Sequence, residues 1–526
     1  MKRTLIIIAL SNLIIVPGFA QESVYRLNDA TQLWRTSGNA AGLSIDAGSK
    51  LDSATYNRGF AQFTFQHQDG DYHRVQQGGS SNLLQFHTER YQTIGKYLVG
   101  YGRFTFDLDH TKDRAWCDVM RPYNANPYIS GSSVKGTYET QAFDFTCAMS
   151  TVPLIKGEDA NDGLRLGVKF DYKVGDLSRL RDPRSRSELL DYKLAPAITY
   201  TMGRHTLGLD GSYERRKEKI PNMQTVQTDP NLYYYFMTGM ENASGTVGSY
   251  KGFDREWVDH RFGAALSYAY NDGKQHSLLT LGIDRGVEYV YGQYKYEPGR
   301  YTSFRYTFDL KNRFREGNVI HQLDLLLSYD EAFGDEYLQQ LYQEKNTTTG
   351  NTSYSYNTII RYDKRYQVNV LNADLCYCAH FVSENKEQGY AGLHLMMQDV
   401  KNKHLLPTSS LTYGSTLIMA EGGWNICKQL TVDLSAGGNI AEKTDLVLAD
   451  LTSDLAQQVL LPDMDYYNAN YWRGHLQLTY QFPLKLRIGR SQAKQSLWYV
   501  RAFGDYLHTN NHLKSRVAGI SIGLFN

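Results

Sequence analysis

The chain has 526 residues, a mean hydropathy of −0.49 and 41% hydrophobic residues, too little apolar sequence for a bundle of membrane helices at ~20 apolar residues per span. Its 41 tyrosines outnumber 21 phenylalanines and accompany 45 glycines and 12 prolines, a balance that suits half-wet strands and excludes a disordered or collagen-like chain. The 56 lysines and arginines nearly cancel the 55 aspartates and glutamates, so there is no basic field to hold nucleic acid.

Lys2 and Arg3 precede an apolar run from Leu5 to Val16, and Gly18-Phe19-Ala20 follows. This order predicts a secretory signal peptide over residues 1–20, cut after Ala20, with no cysteine next to the cut to carry lipid. The mature chain is then close to neutral. Residues 21–50 do not alternate and form an N-terminal segment, periplasmic or lumenal, containing Leu33-Trp34-Arg35-Thr36-Ser37-Gly38-Asn39-Ala40-Ala41-Gly42-Leu43. The small residues from Ser37 to Gly42 permit close backbone approach. They suit the periplasmic mouth, the lumen or a turn into the first strand.

Strand periodicity fills the rest, 51–526. Leu98, Phe104, Phe106 and Leu108 alternate with Tyr101, Arg103, Thr105 and Asp107, and Leu164, Leu166, Val168, Phe170 and Tyr172 with Arg165, Lys169 and Asp171. Phe304, Tyr306, Phe308 and Leu310 alternate with Arg305, Thr307, Asp309 and Lys311, and Trp472, Leu476 and Leu478 with Arg473, His475 and Gln477. Period two sorts apolar and polar residues onto opposite sheet faces. A soluble sandwich does the same, so length decides. Runs of about 10–14 residues exceed globular strands and match the ~9–11 needed to span a bilayer. Tight links at 93–96, 202–204 and 271–274 take turns with long ones near 111–136, 218–258, 332–363 and 441–469. The expectation is an all-β fold, a transmembrane antiparallel barrel of about 18 strands (16–20), with short periplasmic turns and long extracellular loops.

The last strand carries Ile520, Ile522 and Leu524 on its apolar face with Phe525 penultimate. That ending resembles the sorting signal read by barrel-assembly machinery, departing from it in the final Asn526. The Leu33–Leu43 block, with the long strands behind it, resembles an uncharacterised family of single-chain Gram-negative outer-membrane barrels, a domain of unknown function. The resemblance implies a barrel fold and genes often close to those of TonB-dependent receptors; it supplies no functional residues.

Several clusters are candidates for chemistry. Gly519-Ile520-Ser521-Ile522-Gly523 matches the hydrolase G-x-S-x-G pattern, which needs a strand-to-helix turn; here it sits inside the closing strand and reads as a small lumen-facing stretch. Asp374, Cys376, Cys378 and His380 share one strand face. Thiol and imidazole are soft-metal ligands, but side chains standing perpendicular to one strand converge poorly, so packed thiols near the periplasmic rim are expected and no metal. Two same-face cysteines lie about 6–7 Å apart, Cys147 falls on an apolar face and Cys117 in a loop, so no disulfide framework is expected. The predicted lumen lining is dense in both signs: Arg103, Asp107, Asp144, Arg165, Lys169, Asp171, Arg305, Asp309, Lys311, Asp324, Asp433 and Arg473. Such ladders either line a water-filled path for polar solutes or pair off to solvate the interior, and neither sign dominates. On the 218–258 loop, Tyr233, Tyr234, Tyr235 and Phe236 read as an exposed ligand-binding platform. Arg179, Arg181, Arg184 and Arg186 around Pro183 face either lipopolysaccharide phosphates or plain solvent.

These features together describe a non-catalytic, cofactor-free outer-membrane barrel, a channel or the barrel component of a nutrient-uptake complex. Too few residues precede the first strand for the folded plug of a self-sufficient TonB-dependent receptor. The alternative is a surface receptor or adhesin with a filled barrel and ligand-binding loops. A third class, an outer-membrane hydrolase, would draw on His67, His73 and His87 with Ser80 and Ser81. Expected partners are outer-membrane lipid and lipopolysaccharide, the barrel-assembly machinery during biogenesis, and a TonB-dependent receptor or surface lipoprotein; nucleic acid is not among them.

Overall fold

The computed structural model describes residues 32–46, 58–120, 126–156, 162–221, 223, 233–247, 254–345, 347–384, 386–486 and 494–525. The predicted signal peptide and the flanks of the N-terminal segment lie outside the described residues.

Among these, eighteen long antiparallel strands close into one barrel. The first, Arg58–Gly70, pairs with the second, Ser80–Ile94, and on its other side with the last, Lys514–Phe525. Closure leaves no unpaired sheet edge around the wall. The tight links centre on Gly95, Gly203 and Gly273, whose φ values of 62°, 58° and 87° belong to the left-handed region that glycine enters without strain. These turns collect on one rim and the longer connections on the other. Register then sorts the faces. Phe63, Phe145, Leu209, Leu266 and Ile283 are exposed on the outer wall, while their sequence neighbours Thr64, Asp144, Asp210, Ser267 and Asp284 turn into the lumen. An apolar belt outside a polar interior is the inverse of a soluble sandwich and places the barrel in a bilayer. An even-stranded barrel with its short turns on one rim is of the outer-membrane type. No helix among the described residues is long and apolar enough to cross a membrane.

Barrel strands run from 12 to 32 residues, longer than the expected 10–14, because pairing continues beyond the apolar belt at the long-loop rim. The stretch 332–363 corrects the sequence reading most. It is no loop: Val319–Lys345 and Thr352–Ser383 stay paired from Glu336↔Tyr362 out to Lys345↔Thr352. Polar residues there, such as Gln339, Gln343, Ser353 and Ser355, suit a strand with water on both faces.

Two inserts occupy the lumen. At the long-loop end a lid forms from a three-stranded sheet of Ser130–Ser132, Tyr233–Gly239 and Asn242–Val247, with the helical pieces Ala456–Leu460 and Leu461–Tyr467. At the short-turn end, residues 32–46 cross the lumen as the short turns Trp34–Thr36, Ala40–Gly42 and Leu43–Asp46.

Candidate functional site

The lid is held by an apolar core. Cys117, Val119, Tyr128 and Tyr234 from the loops pack on Ile220, Trp257 and Val290 of the wall. A second cluster joins Trp116, Tyr235 and Met237 to Leu455 and Val459 of the helical pieces, and a third sets Met240 among Tyr301, Tyr366, Val368 and Leu411 of three different strands. Polar ties complete it. Glu241 accepts from Ser409 (2.6 Å) and from the Ala449 amide (2.9 Å), and the Tyr128 hydroxyl donates to the Asp335 carbonyl.

This arrangement overturns the exposed-platform expectation. Tyr234 is 0% exposed and Tyr235 is buried; the Tyr235 ring lies 4.4 Å from Trp116 and its hydroxyl donates to Asp454 (2.6 Å). Phe236 lies beneath the Arg255 guanidinium at 4.7 Å, and Tyr233 opens the lid's central strand. Alternation sends Tyr234 and Tyr235 to opposite faces of this strand, and both faces are covered, one by the wall and the other by the helical pieces.

The N-terminal segment has two smaller apolar contacts, Leu33 and Trp34 on Ala269 and Leu278, and Ala40 and Leu43 on Tyr91, Val99 and Ala148, and a set of scattered polar ties. Arg35 meets Glu89 (3.3 Å), Lys311 Nζ donates to the Thr36 carbonyl (3.1 Å), and the Asn39 amide donates to the Ile198 carbonyl (3.2 Å). Ser150 donates to the Ala41 carbonyl (2.7 Å) and Ser44 to the Thr151 carbonyl (2.7 Å). The small-residue run does permit close approach, inside the lumen: a Cβ on Gly42 would enter the Trp34 ring, and one on the wall residue Gly167 would strike the Ala41 backbone. Burial raises the Asp46 carboxyl to about 7, against the pull of the Arg35 amide and charge.

Beside this segment opens a cavity of about 880 Å³. One wall carries Asp309, Lys311, Arg313 and Asp324, paired as Lys311–Asp309 (3.0 Å) and Arg313–Asp324 (2.6 Å). The strands that continue from it carry Asp374, Cys376, Cys378, Glu421 and Asp433 with His380, His394 and His475, and among the described residues they add no lysine or arginine to the lining; the two stretches meet where Asp324 is the cross-strand partner of Cys376. A smaller cavity of about 300 Å³ adjoins the segment at Arg103 and Lys169.

The predicted lumen residues all lie on the polar face by register, largely as pairs. Arg103 meets Asp144 (3.2 Å), Lys169 meets Asp171 (3.6 Å), Arg305 meets Asp330 (2.6 Å) and Arg473 meets Asp505 (2.8 Å). Arg165 is buried and donates to Thr201 (3.0 Å), Asp107 accepts from Gln85 (2.8 Å) and Asp433 from Gln477 (2.8 Å). Of the arginines near Pro183, Arg179 is buried on Tyr138 (2.6 Å), Arg186 meets Asp176 (2.6 Å) and Arg184 meets Asp182 (3.1 Å), so they form no shared patch. Of the hydrolase candidates, His73, Ser80 and Ser81 line one small cavity of about 170 Å³, where the His73 Nδ1 is bonded to the Arg74 carbonyl (3.0 Å). Ser521 bonds Thr64 inside the closing strand (2.9 Å), His67 bonds Asn82 (2.8 Å) and His87 bonds Thr105 (2.8 Å), while Ser81 is held by Asp109. His394 and Glu421 were missed from sequence, the available signal being His394 and Met396 on one strand face, while the N-terminal segment takes the lumenal one of the placements its small residues suit.

Among solved structures, the chain is similar to the FrpB iron transporter from Neisseria meningitidis, at 9% identity and TM-score 0.40, covering 89% of this chain and 81% of that one. It is also similar to the outer membrane protein opdK from Pseudomonas aeruginosa, at 9% identity and TM-score 0.33, covering 89% and 99%. The siderophore receptor PirA from Acinetobacter baumannii shares 9% identity at TM-score 0.36, covering 89% and 80%. No curated protein sequence matches the chain. A family model spans residues 47–526, and by that match the chain belongs to the Family of unknown function (DUF6850).

Proposed function

We propose that this protein is a gated transport component of the outer membrane, a channel or the barrel of a nutrient-uptake complex, without catalysis of its own. The observation that carries the reading is the unequal closure of its lumen. A packed lid covers one end, a polar-tethered segment crosses the other, and a charged chamber of about 880 Å³ lies beside that segment. Release of residues 32–46 breaks hydrogen bonds that water replaces and exposes two small apolar contacts, whereas opening the lid exposes three larger clusters.

Planar-bilayer recording tests this. The full chain is expected to be silent or to flicker, and a variant lacking residues 32–46 to conduct steadily. A deletion variant that folds, judged by heat-modifiable gel migration, and still stays silent would sink the transport reading. It would favour a surface receptor with a filled barrel, a reading supported by the paired hairpin that reaches past its neighbouring strands. For a partner that moves the segment we propose a TonB-dependent receptor or a surface lipoprotein. Co-purification from outer membranes with the full chain, lost on deleting 32–46, is the expected result.

A further inference from the structure

The stretch of chamber wall beside the Arg313–Asp324 pair holds the least expected chemistry among the described residues. Cys376 and His394 are direct cross-strand partners, so their side chains stand on the same face about 5 Å apart at Cβ. Each is backed by its own carboxylate. His394 Nε2 lies 2.6 Å from Asp374 Oδ1, which holds the proton on Nε2 and leaves the Nδ1 lone pair as the ring's donor. Cys376 Sγ points at Glu421 Oε1, 3.9 Å away. Glu421 reaches this position across Gly392, where a Cβ would come within 3.2 Å of it.

Soft donors surround the pair. Cys378 is the next residue on the same face, Met419 is the cross-strand partner of His394, and Met396 that of Asp374. The same-strand set read from sequence is not the one assembled, because His380 is committed on both nitrogens, to Glu387 (2.6 Å) and Gln322 (3.2 Å). Among the described residues no three His, Cys, Asp or Glu side chains converge on one point. That excludes a closed four-ligand zinc site and leaves an open pair with thioethers beside it.

We propose that this wall binds a soft transition-metal cation, monovalent copper being the best match, between Cys376 Sγ and His394 Nδ1. Thiolate, thioether and imidazole select such an ion over calcium or magnesium, and monovalent copper accepts low coordination numbers. On binding, the sulfur–metal bond forms as the S–H bond breaks, and the proton passes to the Glu421 carboxylate. The thiolate neutralises the ion's charge without any change of oxidation state. Only the description of the ion as cargo rests on the transport reading; its binding does not.

The test is an anaerobic titration of the full chain in detergent with monovalent copper against a chromophoric chelator, in a background of C427S, since the Cys427 thiol is exposed. One tight equivalent is expected. C376S should weaken it by about 100-fold, and D374N by about 10–100-fold, the usual cost of removing a partner behind a ligand. D374N removes no donor atom, so it guards against a misfolded cysteine variant. Equal affinity in the parent and the C376S/H394F double variant, or calcium binding as tight as copper, would overturn the proposal. Conductance of the 32–46 deletion is read separately, so a failed titration leaves the gating result standing.

Discussion

The two ends of the lumen are closed by different physics. The lid is a small protein core, with Trp116, Tyr128, Tyr234 and Trp257 buried against the wall. The N-terminal crossing seats Trp34 on Leu278 and Leu43 on Val99 in two smaller apolar contacts and adds hydrogen bonds such as Ser150 to Ala41 and Lys311 to Thr36, each worth about 0.5–1.5 kcal/mol net in water's presence. Apolar burial makes a closure that opens cooperatively or not at all. A set of exchangeable hydrogen bonds makes one that opens piece by piece. The contrast teaches that a polar barrel interior does not by itself mean an open pore.

Removing the lid's anchor should show the largest effect. Trp116→Ala deletes a buried ring packed against Tyr235 and is expected to cost the lid about 3–5 kcal/mol, read as new protease cuts within 115–135 and 448–470 while the barrel keeps its gel mobility. Unchanged cleavage would mean that the lid is not a cooperative core. Next, Gly42→Val drives a side chain into the Trp34 ring and should loosen the crossing by about 1–3 kcal/mol. Cleavage near residue 40 and intermittent conductance should rise, with lid cleavage unaltered. If both ends respond together, the two closures are coupled and the comparison fails.

The ends should also differ in their response to pH. Burial raises Asp46 to about 7 from an ordinary value near 3.8, so the docked segment holds its proton where the released segment has lost it. Docking is therefore strongest below about pH 4 and weakens as pH rises to about 7, with no further change above. Asp46→Asn should flatten this profile in protease protection of the segment. A profile that persists in the variant would assign the titration elsewhere. The smallest effect concerns Arg255, which is 0% exposed under the lid and, among the described residues, has no hydrogen-bond partner on any of its three side-chain nitrogens. Its rings, Phe236 and Trp257 at 4.7 and 5.8 Å, only partly offset the lost hydration. Arg255→Met should leave lid stability unchanged or raise it by about 1–2 kcal/mol in the melting curve. A clear loss would show that the guanidinium stabilises the lid.

Much of the wall was legible in advance. Alternation such as Phe304-Arg305-Tyr306-Thr307 already states which face meets lipid and which meets water, and the Gly-centred links mark the turns. The hairpin at 332–363 was misread because its apolar residues fall in adjacent pairs, Leu341-Tyr342 and Ile359-Ile360, and two register shifts break the period of two. Of the site, Cys376 and Cys378 were visible as a pair on one strand. His394 and Glu421 were not, since nothing local says which strand will lie beside which, or that Gly392 leaves room for a longer neighbour.

What the order of residues settled alone is the barrel itself: period two, strand length and turn spacing act between near neighbours, and closure follows from them. What required the folded molecule is everything inside. Whether Tyr234 faces water or a core, whether Ser37–Gly42 lines a mouth or crosses the lumen, and which donor faces Cys376 all depend on contacts between residues far apart in the chain. Local periodicity carries no record of those contacts, because the lumen is filled by segments returning from both rims.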